Sequence, residues 1–375
     1  MASLDSVLAP HVEAGALPGA VALVARGDDV EVAAVGRTAF DGPPMERRSL
    51  FRVASLTKPI TAAALLLLVE DGRVGLHDPV GEWLPELAAP SVVRTPESPL
   101  DDVVPAARPI TVFDLLTARA GHGYPADFSL PAVQALFIGL RQRPPEPSDV
   151  TPDEWLADLA RIPMLAHPGE RWLYNTTSDV QGVLIARLAG RPLPEFLAER
   201  LFAPLGMVDT AFSARPADLD RFTTLYRPTE SGPPELWDPP TGLWSHEPGF
   251  PSGAGGLLST ADDLHAFARM LLTAGAGVLT PESVRLMTTD HLTPEQRAAG
   301  ELFLEGQGWG CGGSVDVEPR DPWNVPGRYG WIGGTGTSAH VIPSTSTTTI
   351  LLTQVGLEGP TPPRVLRDFW AWAAT

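Results

Sequence analysis

Near its amino end the chain reads FRVASLTKPI from Phe51 to Ile60, and an apolar run follows as far as Val69. A helix with apolar residues on all sides is typical of a buried helix, so we predict a helix over Pro59–Asp71 inside the protein. The residue before a proline is biased away from helical backbone, so the first turn is expected to be distorted. The sequence therefore predicts a buried helix with Ser55 and Lys58 at its amino-terminal end.

Ser55 and Lys58 stand three positions apart. Residues at this spacing share a helix face, so the Lys58 ammonium is expected beside the Ser55 hydroxyl. A serine hydroxyl is a weak nucleophile and needs an adjacent base or cation. Partial burial also makes a lysine lose its proton more easily. The pair predicts nucleophilic catalysis, although a four-residue pattern of this kind also occurs by chance.

Strand patterns lie at both ends of the chain, and helix patterns lie between them. The β-rich runs are Ala20–Ala25, Val30–Val35, Thr337–Ile342 and Thr347–Gln354. The helical patterns are Pro59–Asp71, Val112–Leu116, Pro152–Leu159, Ser178–Leu188, Pro194–Phe202, Thr260–Leu272, Pro281–Met287 and a terminal Pro362–Ala374. This order predicts an α+β fold, with an antiparallel sheet from both chain ends flanked by helices and a mainly helical inserted subdomain, rather than a doubly wound sheet.

We expect residues 1–375 to form a single catalytic domain, because this length suits one large domain or two compact lobes. Residues 1–58 and 256–375 are assigned to an α/β lobe, and residues 59–255 to a mainly helical lobe with cleft loops. Three proline-rich segments are predicted as long ordered loops that shape a site. They are Pro85–Pro109, Pro144–Pro152 and Pro228–Pro251.

Composition and charge exclude several partners. The chain is 43% hydrophobic and 19% charged, which is typical of a globular protein. Its formal net charge of -18 repels nucleic acids and anionic membranes. The single Cys311 cannot form an internal disulfide. The amino-terminal segment lacks a secretory pattern, and the apolar run after Pro59 has about half the length of a membrane-spanning helix. We therefore expect a cytoplasmic protein with neither nucleic-acid nor membrane partners, and the oligomeric state stays open.

No cofactor and no metal are predicted. Gly308–Gly313 matches the pattern G-x-G-x-x-G, but the residues after it are not helical, so a phosphate cradle is not expected. The eight histidines show no spacing typical of metal ligands.

Several further motifs follow Lys58 in order along the chain. They are Leu115-Leu116-Thr117 with Gly121, PGERWLYNT over Pro168–Thr176, Pro204–Met207, the glycine-rich turn Gly253–Leu264, and Trp331–Gly334. Together with FRVASLTK, this ordered set resembles the serine β-lactamase and penicillin-binding protein family, and most closely the family VIII carboxylesterases. The resemblance covers nearly the whole chain. It implies a β-lactamase/transpeptidase-like fold and a cofactor-independent serine hydrolase.

The resemblance also implies a role for each site residue. Ser55 is the acylated nucleophile, Lys58 is its proton partner, and Tyr174 is the general base and acid. The Lys58 cation is expected to lower the pKa of Tyr174 from its ordinary value of about 10. The backbone amides of Ser55 and Gly334 are expected to form the oxyanion hole.

Two departures from the family pattern bear on the substrate. Thr176 stands where β-lactamases have the asparagine of Tyr-x-Asn, and Trp331 stands where they have a lysine. That lysine helps to hold the carboxylate of a β-lactam, so its absence favours neutral esters. The expected substrate-binding residues are Trp331, Gly333, Thr176, Tyr124, Trp237, Trp244 and Phe250.

The expected activity is hydrolysis of small to medium carboxylic esters, with a small-molecule ester or amide as substrate. Three alternatives stay open on the same residues. The protein could be a β-lactamase or D-amino-acid peptidase, an acyltransferase that uses the same acyl-enzyme, or a non-catalytic binding protein of the same fold.

Overall fold

The computed structural model describes residues 3–140, 150–230 and 232–375. Its strands are β1 (Gly19–Arg26), β2 (Asp29–Gly36), β3 (Phe51–Arg52), β4 (Ser91–Val93), β5 (Val103–Pro105), β6 (Leu225–Arg227), β7 (Glu235–Asp238), β8 (Leu258–Ser259), β9 (Gly308–Trp309), β10 (Ser314–Val315), β11 (Tyr329–Gly333), β12 (Thr337–Ile342) and β13 (Thr347–Thr353). Its α-helices are α1 (Leu4–Glu13), α2 (Thr57–Glu70), α3 (Val112–Leu116), α4 (Pro131–Gly139), α5 (Pro152–Ala160), α6 (Thr176–Ala189), α7 (Leu193–Leu197), α8 (Ala203–Leu205), α9 (Ala261–Leu272), α10 (Pro281–Met287), α11 (Pro294–Ala299), α12 (Glu301–Leu304) and α13 (Arg364–Ala373).

The largest sheet is antiparallel and has the strand order β2-β1-β13-β12-β11-β10-β9. Strands from the two chain ends therefore lie side by side. β1 pairs with β13 along its length, from Ala20 opposite Thr353 to Arg26 opposite Thr347. The predicted α+β fold, with an antiparallel sheet built from both ends of the chain, is confirmed.

Alternating residues of β1 pack into two different cores, as expected for a strand covered on both faces. Val21 and Leu23 belong to the larger core, which continues into the helical part of the protein along α2. Ala22 and Val24 belong to a smaller core, against α1 and α13. The sheet is thus a middle layer, and α2 is buried from Thr57 to Leu68.

A single 3₁₀ turn, Ala54–Leu56, precedes α2. Pro59 is the third residue of α2, where the backbone N–H has no partner within a helix, so proline loses no hydrogen bond there. Contrary to the expected distortion, Lys58, the residue before Pro59, is part of the regular helix. The 3₁₀ turn lies further upstream and separates Ser55 from α2.

The proline-rich segments contain more regular structure than predicted. Pro85–Pro109 includes the hairpin of β4 and β5, and Pro228–Pro251 includes β7. Residues 144–149 of Pro144–Pro152 lie outside the described residues, and Pro152 itself begins α5. The lobe boundaries near residues 58 and 256 stay predictions. No described helix has the length and apolar character needed to cross a membrane.

A buried ion pair joins the end of β3 to the end of β7. The guanidinium of Arg52 is paired with the carboxylate of Asp238, and both side chains are almost fully buried. The same guanidinium lies 4.0 Å from the centroid of the Phe222 ring. Burial lowers the pKa of Arg52 to about 10, which leaves it charged at neutral pH. The pair fixes the segment around Trp237 to the strand that leads into Ser55.

Replacing Asp238 by Ala (Asp238→Ala) is expected to lower the free energy of unfolding by about 3–5 kcal/mol, because Arg52 would keep a buried charge without its partner. Urea denaturation measures the loss. The exposed pair Arg227–Glu235, on β6 and β7, supplies the matched control, and Glu235→Gln is expected to cost less than about 1 kcal/mol. Equal losses for the two variants would contradict this account.

Candidate active site

Ser55 lies in the 3₁₀ turn between β3 and α2. Ala54, just before it, has φ 43°, a left-handed conformation that is uncommon for a residue other than glycine. Val53 holds the turn from the other side: its N–H donates to the Leu257 carbonyl at 3.0 Å, and its carbonyl accepts from Thr337 Oγ1 at 3.1 Å. The strained turn places Ser55 on the surface of a large cavity.

Lys58 is buried beside Ser55 and is surrounded by oxygen atoms. Its Nζ lies 2.8 Å from Ser55 Oγ, 2.8 Å from Asn175 Oδ1 and 2.7 Å from the Ala254 carbonyl oxygen. The side chain is 1% exposed. The predicted contact between the amine and the Ser55 hydroxyl is therefore present in the structure.

The surroundings of Lys58 favour the neutral amine. Burial lowers its pKa to about 7, and the nearby charge of Asp179 opposes part of that effect. Lys58 is also the only lysine in the chain, and the remaining side chains counted as Lys or Arg are all arginines. An arginine cannot lose its proton in a protein, so this position requires lysine if the group must become neutral.

A neutral Lys58 suits the role of a general base. Its amine would have two N–H groups and one lone pair. The carbonyl oxygens of Ala254 and Asn175 can only accept, so they take the two N–H groups. The lone pair is then left for the hydroxyl of Ser55, at a heavy-atom distance suited to proton transfer.

Tyr174 lies on the other side of the Ser55 hydroxyl. Its Oη donates to Ser55 Oγ at 2.9 Å and accepts from Trp331 Nε1 at 2.8 Å. The expectation that Lys58 lowers the pKa of Tyr174 is wrong. Burial raises this pKa to about 12, and the hydrogen bonds with Ser55 and Trp331 oppose the rise only in part. Tyr174 therefore keeps its proton at neutral pH and acts as a donor.

Gly334 follows β11 and lines the same cavity as Ser55. Within the described residues its backbone N–H donates to no acceptor, and a Cβ built on it would meet nothing within 4 Å. Its amide is thus available at the edge of open space. A shared oxyanion hole formed by this amide and that of Ser55 stays a prediction that this placement supports.

The cavity has a volume of about 480 Å³, within the usual range for small-molecule sites. The predicted residues Tyr124, Trp237, Trp244, Phe250 and Trp331 line it. Aromatic residues that sequence reasoning missed are Phe137, Trp155, Phe212 and Phe303. Among the described lining residues there is no lysine or arginine, and the wall is mainly apolar.

Two predicted substrate-binding residues do not line the cavity. Thr176 is the first residue of α6 and is fully buried. Gly333 is packed against the backbone of Val53 and the side chain of Thr337, which leaves no room for even a methyl group. Both lie behind the cavity wall, so direct contact with a substrate is not expected of either.

Asn175 and Asp179 were missed by sequence reasoning. Asn175 has φ 80°, and this left-handed backbone directs its side chain to Lys58, with a further hydrogen bond to the Tyr124 hydroxyl. The family motif Tyr-x-Asn predicts the functional polar side chain at the third position, Thr176, whereas here the asparagine stands at the second. Asp179, four residues along α6, is buried at the cavity wall.

Glycine-rich Gly308–Gly313 leads into strand β10 rather than into a helix, in agreement with the sequence analysis. In the described part of the chain, no group of three or more His, Cys, Asp and Glu side chains could hold a metal ion.

Comparisons with known proteins agree with this geometry. The Beta-lactamase family model matches residues 4–368. Protein Rv1367c of Mycobacterium tuberculosis is 39% identical over 364 residues, which cover 91% of this chain and 87% of that protein. Esterase EstB of Burkholderia gladioli is 32% identical, with coverage of 98% and 94%.

A solved structure is similar over almost the whole chain. It is described as EstCE1, a hydrolase with promiscuous acyltransferase activity, and it has a TM-score of 0.82 and 27% identity. The match covers 99% of this chain and 97% of that one. The chain belongs to the beta-lactamase family and is a serine hydrolase with that family's fold.

Proposed function

We propose that this protein hydrolyses uncharged carboxylic esters with bulky apolar groups, through an acyl-enzyme on Ser55. The observation that carries the proposal is the Ser55 hydroxyl held between the buried amine of Lys58 and the hydroxyl of Tyr174, at the wall of an apolar cavity. These contacts support the assignment of Ser55 as nucleophile and Lys58 as its base.

In the acylation step, neutral Lys58 accepts the proton of Ser55 as Oγ forms a bond to the ester carbonyl carbon. The carbonyl oxygen becomes negative and is stabilised by the amides of Ser55 and Gly334. When the bond to the alcohol breaks, the leaving oxygen takes a proton from the Lys58 ammonium, which becomes neutral again, while Tyr174 Oη stays hydrogen-bonded to Oγ. The products are the alcohol and an acyl ester of Ser55.

In the deacylation step, water attacks the acyl ester from the cavity. Lys58, which is neutral, accepts a proton from the water and then gives it to Ser55 Oγ as the acid leaves. The hydroxyl of Tyr174 donates to Ser55 Oγ and stabilises the negative charge that develops there.

The cavity wall favours a neutral substrate. The family's lysine position is occupied by Trp331, whose indole N–H is used by Tyr174, and no lysine or arginine replaces it among the described lining residues. A substrate carboxylate would therefore be buried without a lysine or arginine to pair with, which is unfavourable. This disfavours a β-lactamase or a D-amino-acid peptidase.

Acyl transfer to an alcohol is a second candidate activity. The same acyl-enzyme would react with an apolar alcohol in place of water, and the largely apolar cavity favours such an acceptor. The similar protein EstCE1 is described as having promiscuous acyltransferase activity. Adding a primary alcohol during ester turnover and measuring the new ester tests this candidate.

Replacing Ser55 by Ala is expected to lower ester hydrolysis by at least about a thousandfold, because no nucleophile remains. An aryl ester and a chromogenic cephalosporin with a free carboxylate are compared on the wild type and the variant. The wild type is expected to turn over the ester far more efficiently. Full activity of a folded Ser55→Ala protein, or preferred turnover of the cephalosporin, would contradict the proposal.

The pH dependence of kcat/KM is expected to show one ionisation at about 7, with activity rising as pH rises. Below this pH Lys58 is protonated and cannot accept the Ser55 proton, so activity falls as the pH is lowered. Lys58→Arg keeps the cation but not the base, and is expected to be inactive from pH 5 to 9. An active Lys58→Arg variant would rule out Lys58 as the general base.

Trp331→Phe is expected to lower kcat about tenfold or more, because Tyr174 would lose the hydrogen bond that orients its hydroxyl towards Ser55. Steady-state kinetics with one aryl ester measures the effect. Trp237→Phe, at another position on the cavity wall, is the control and is expected to change KM more than kcat. A change confined to KM in Trp331→Phe would show that the indole N–H has no part in the chemical step.

A further inference from the structure

Asp179 is a buried carboxylate with no role in the bond-making steps above. It lies on α6, four residues after Asn175, and its side chain is 1% exposed. Its Oδ1 accepts from Ser252 Oγ at 2.7 Å and from the Ala254 N–H at 3.0 Å. The carboxylate therefore ties α6 to the turn whose Ala254 carbonyl contacts Lys58.

The Ala254 residue is held at both of its polar backbone atoms. Its N–H donates to Asp179, and its carbonyl accepts from Lys58 Nζ at 2.7 Å. The neighbouring carbonyl of Gly253 accepts from Thr61 Oγ1 at 2.8 Å, which joins the same turn to α2. Movement of Asp179 would thus displace the oxygen that holds one N–H of Lys58.

The position of this turn decides the direction of the lone pair of Lys58. If the Ala254 carbonyl moved away, one N–H group would be free to turn towards Ser55 Oγ, and the lone pair would point elsewhere. Asn175 holds the second N–H from the start of α6. Helix α6 therefore controls both hydrogen-bond acceptors, one directly and one through Asp179.

The charge of Asp179 also acts on Lys58. Burial alone favours the neutral amine, and the carboxylate opposes it, so that the pKa of Lys58 is about 7. A base is most effective when its pKa lies near the working pH, since a more acidic ammonium corresponds to a weaker base. The carboxylate therefore preserves the basicity of Lys58.

Two tyrosines and a thiol near Lys58 keep their protons between pH 5 and 9. Burial raises the pKa of Tyr174 to about 12, raises that of Tyr124 further, and raises that of Cys311, in the turn packed against the start of α2, to about 12. His246 lies on the cavity wall, on the segment after β7.

We propose that Asp179 is a positioning residue: its carboxylate holds the Ala254 peptide so that the lone pair of Lys58 faces Ser55, and its charge keeps Lys58 a strong enough base. This inference rests on the proposed role of Lys58 as the base. Asp179 itself acts through Lys58 and the turn, without contact with the reacting atoms.

The test measures the rate at which a fluorophosphonate labels Ser55 between pH 5 and 9. Asp179→Asn removes the charge, and we expect its pH midpoint to fall by about one unit below that of the wild type. The maximal rate is expected to fall about tenfold. Ser252→Ala loosens the same turn but keeps the charge, so its maximal rate should fall while its midpoint stays in place.

An unchanged midpoint in Asp179→Asn would overturn the proposal, as would an equal shift in Ser252→Ala. If Asp179→Asn does not fold, Asp179→Glu keeps the charge but displaces the carboxylate. Its rate should fall at an unchanged midpoint, and a lowered midpoint or a wild-type rate would overturn the proposal. Labelling does not need ester turnover, so a wild type that is labelled but hydrolyses no ester would contradict the proposed function alone.

Discussion

The burial of the Lys58 amine is the constraint on which the rest of this site depends. Removing an ammonium group from water is unfavourable, and three oxygen atoms at 2.7–2.8 Å offset that cost only in part. The remaining cost shifts the amine towards its neutral form. A neutral amine is what Ser55 needs beside it, so the destabilising burial of Lys58 is also the source of its basicity.

The fold supplies the groups around Lys58 from distant parts of the chain. Helix α2 carries Lys58, Asn175 immediately precedes α6, and the turn before β8 contributes Ala254. The sheet contributes Trp331 from β11, which reaches the site through Tyr174. A sheet built from both chain ends and a helical part between them are therefore both required, because neither alone contains a complete proton path.

Sequence reasoning predicted the fold and the pairing of Ser55 with Lys58, because both depend on local spacing and on apolar patterns that burial preserves. It failed where the outcome depended on three-dimensional surroundings. Tyr174 was expected to be acidified by Lys58, but the aromatic side chains around it exclude water and raise its pKa. A sequence motif shows neither the left-handed backbone of Asn175 nor the hydrogen bond between Asp179 and Ala254. Thr176 was predicted to bind substrate because of its position in the motif, but its side chain is buried and does not line the cavity.

Lys58 is the only lysine, so a protein labelled with ¹³C at the lysine Cε position gives a single lysine side-chain resonance. Following that resonance by NMR as the pH is raised measures the protonation of Lys58 directly, without substrate and without mutation. The account predicts a midpoint at about 7. A midpoint near the ordinary lysine value of 10.5 would show that the amine remains an ammonium at neutral pH, and would contradict its role as the base.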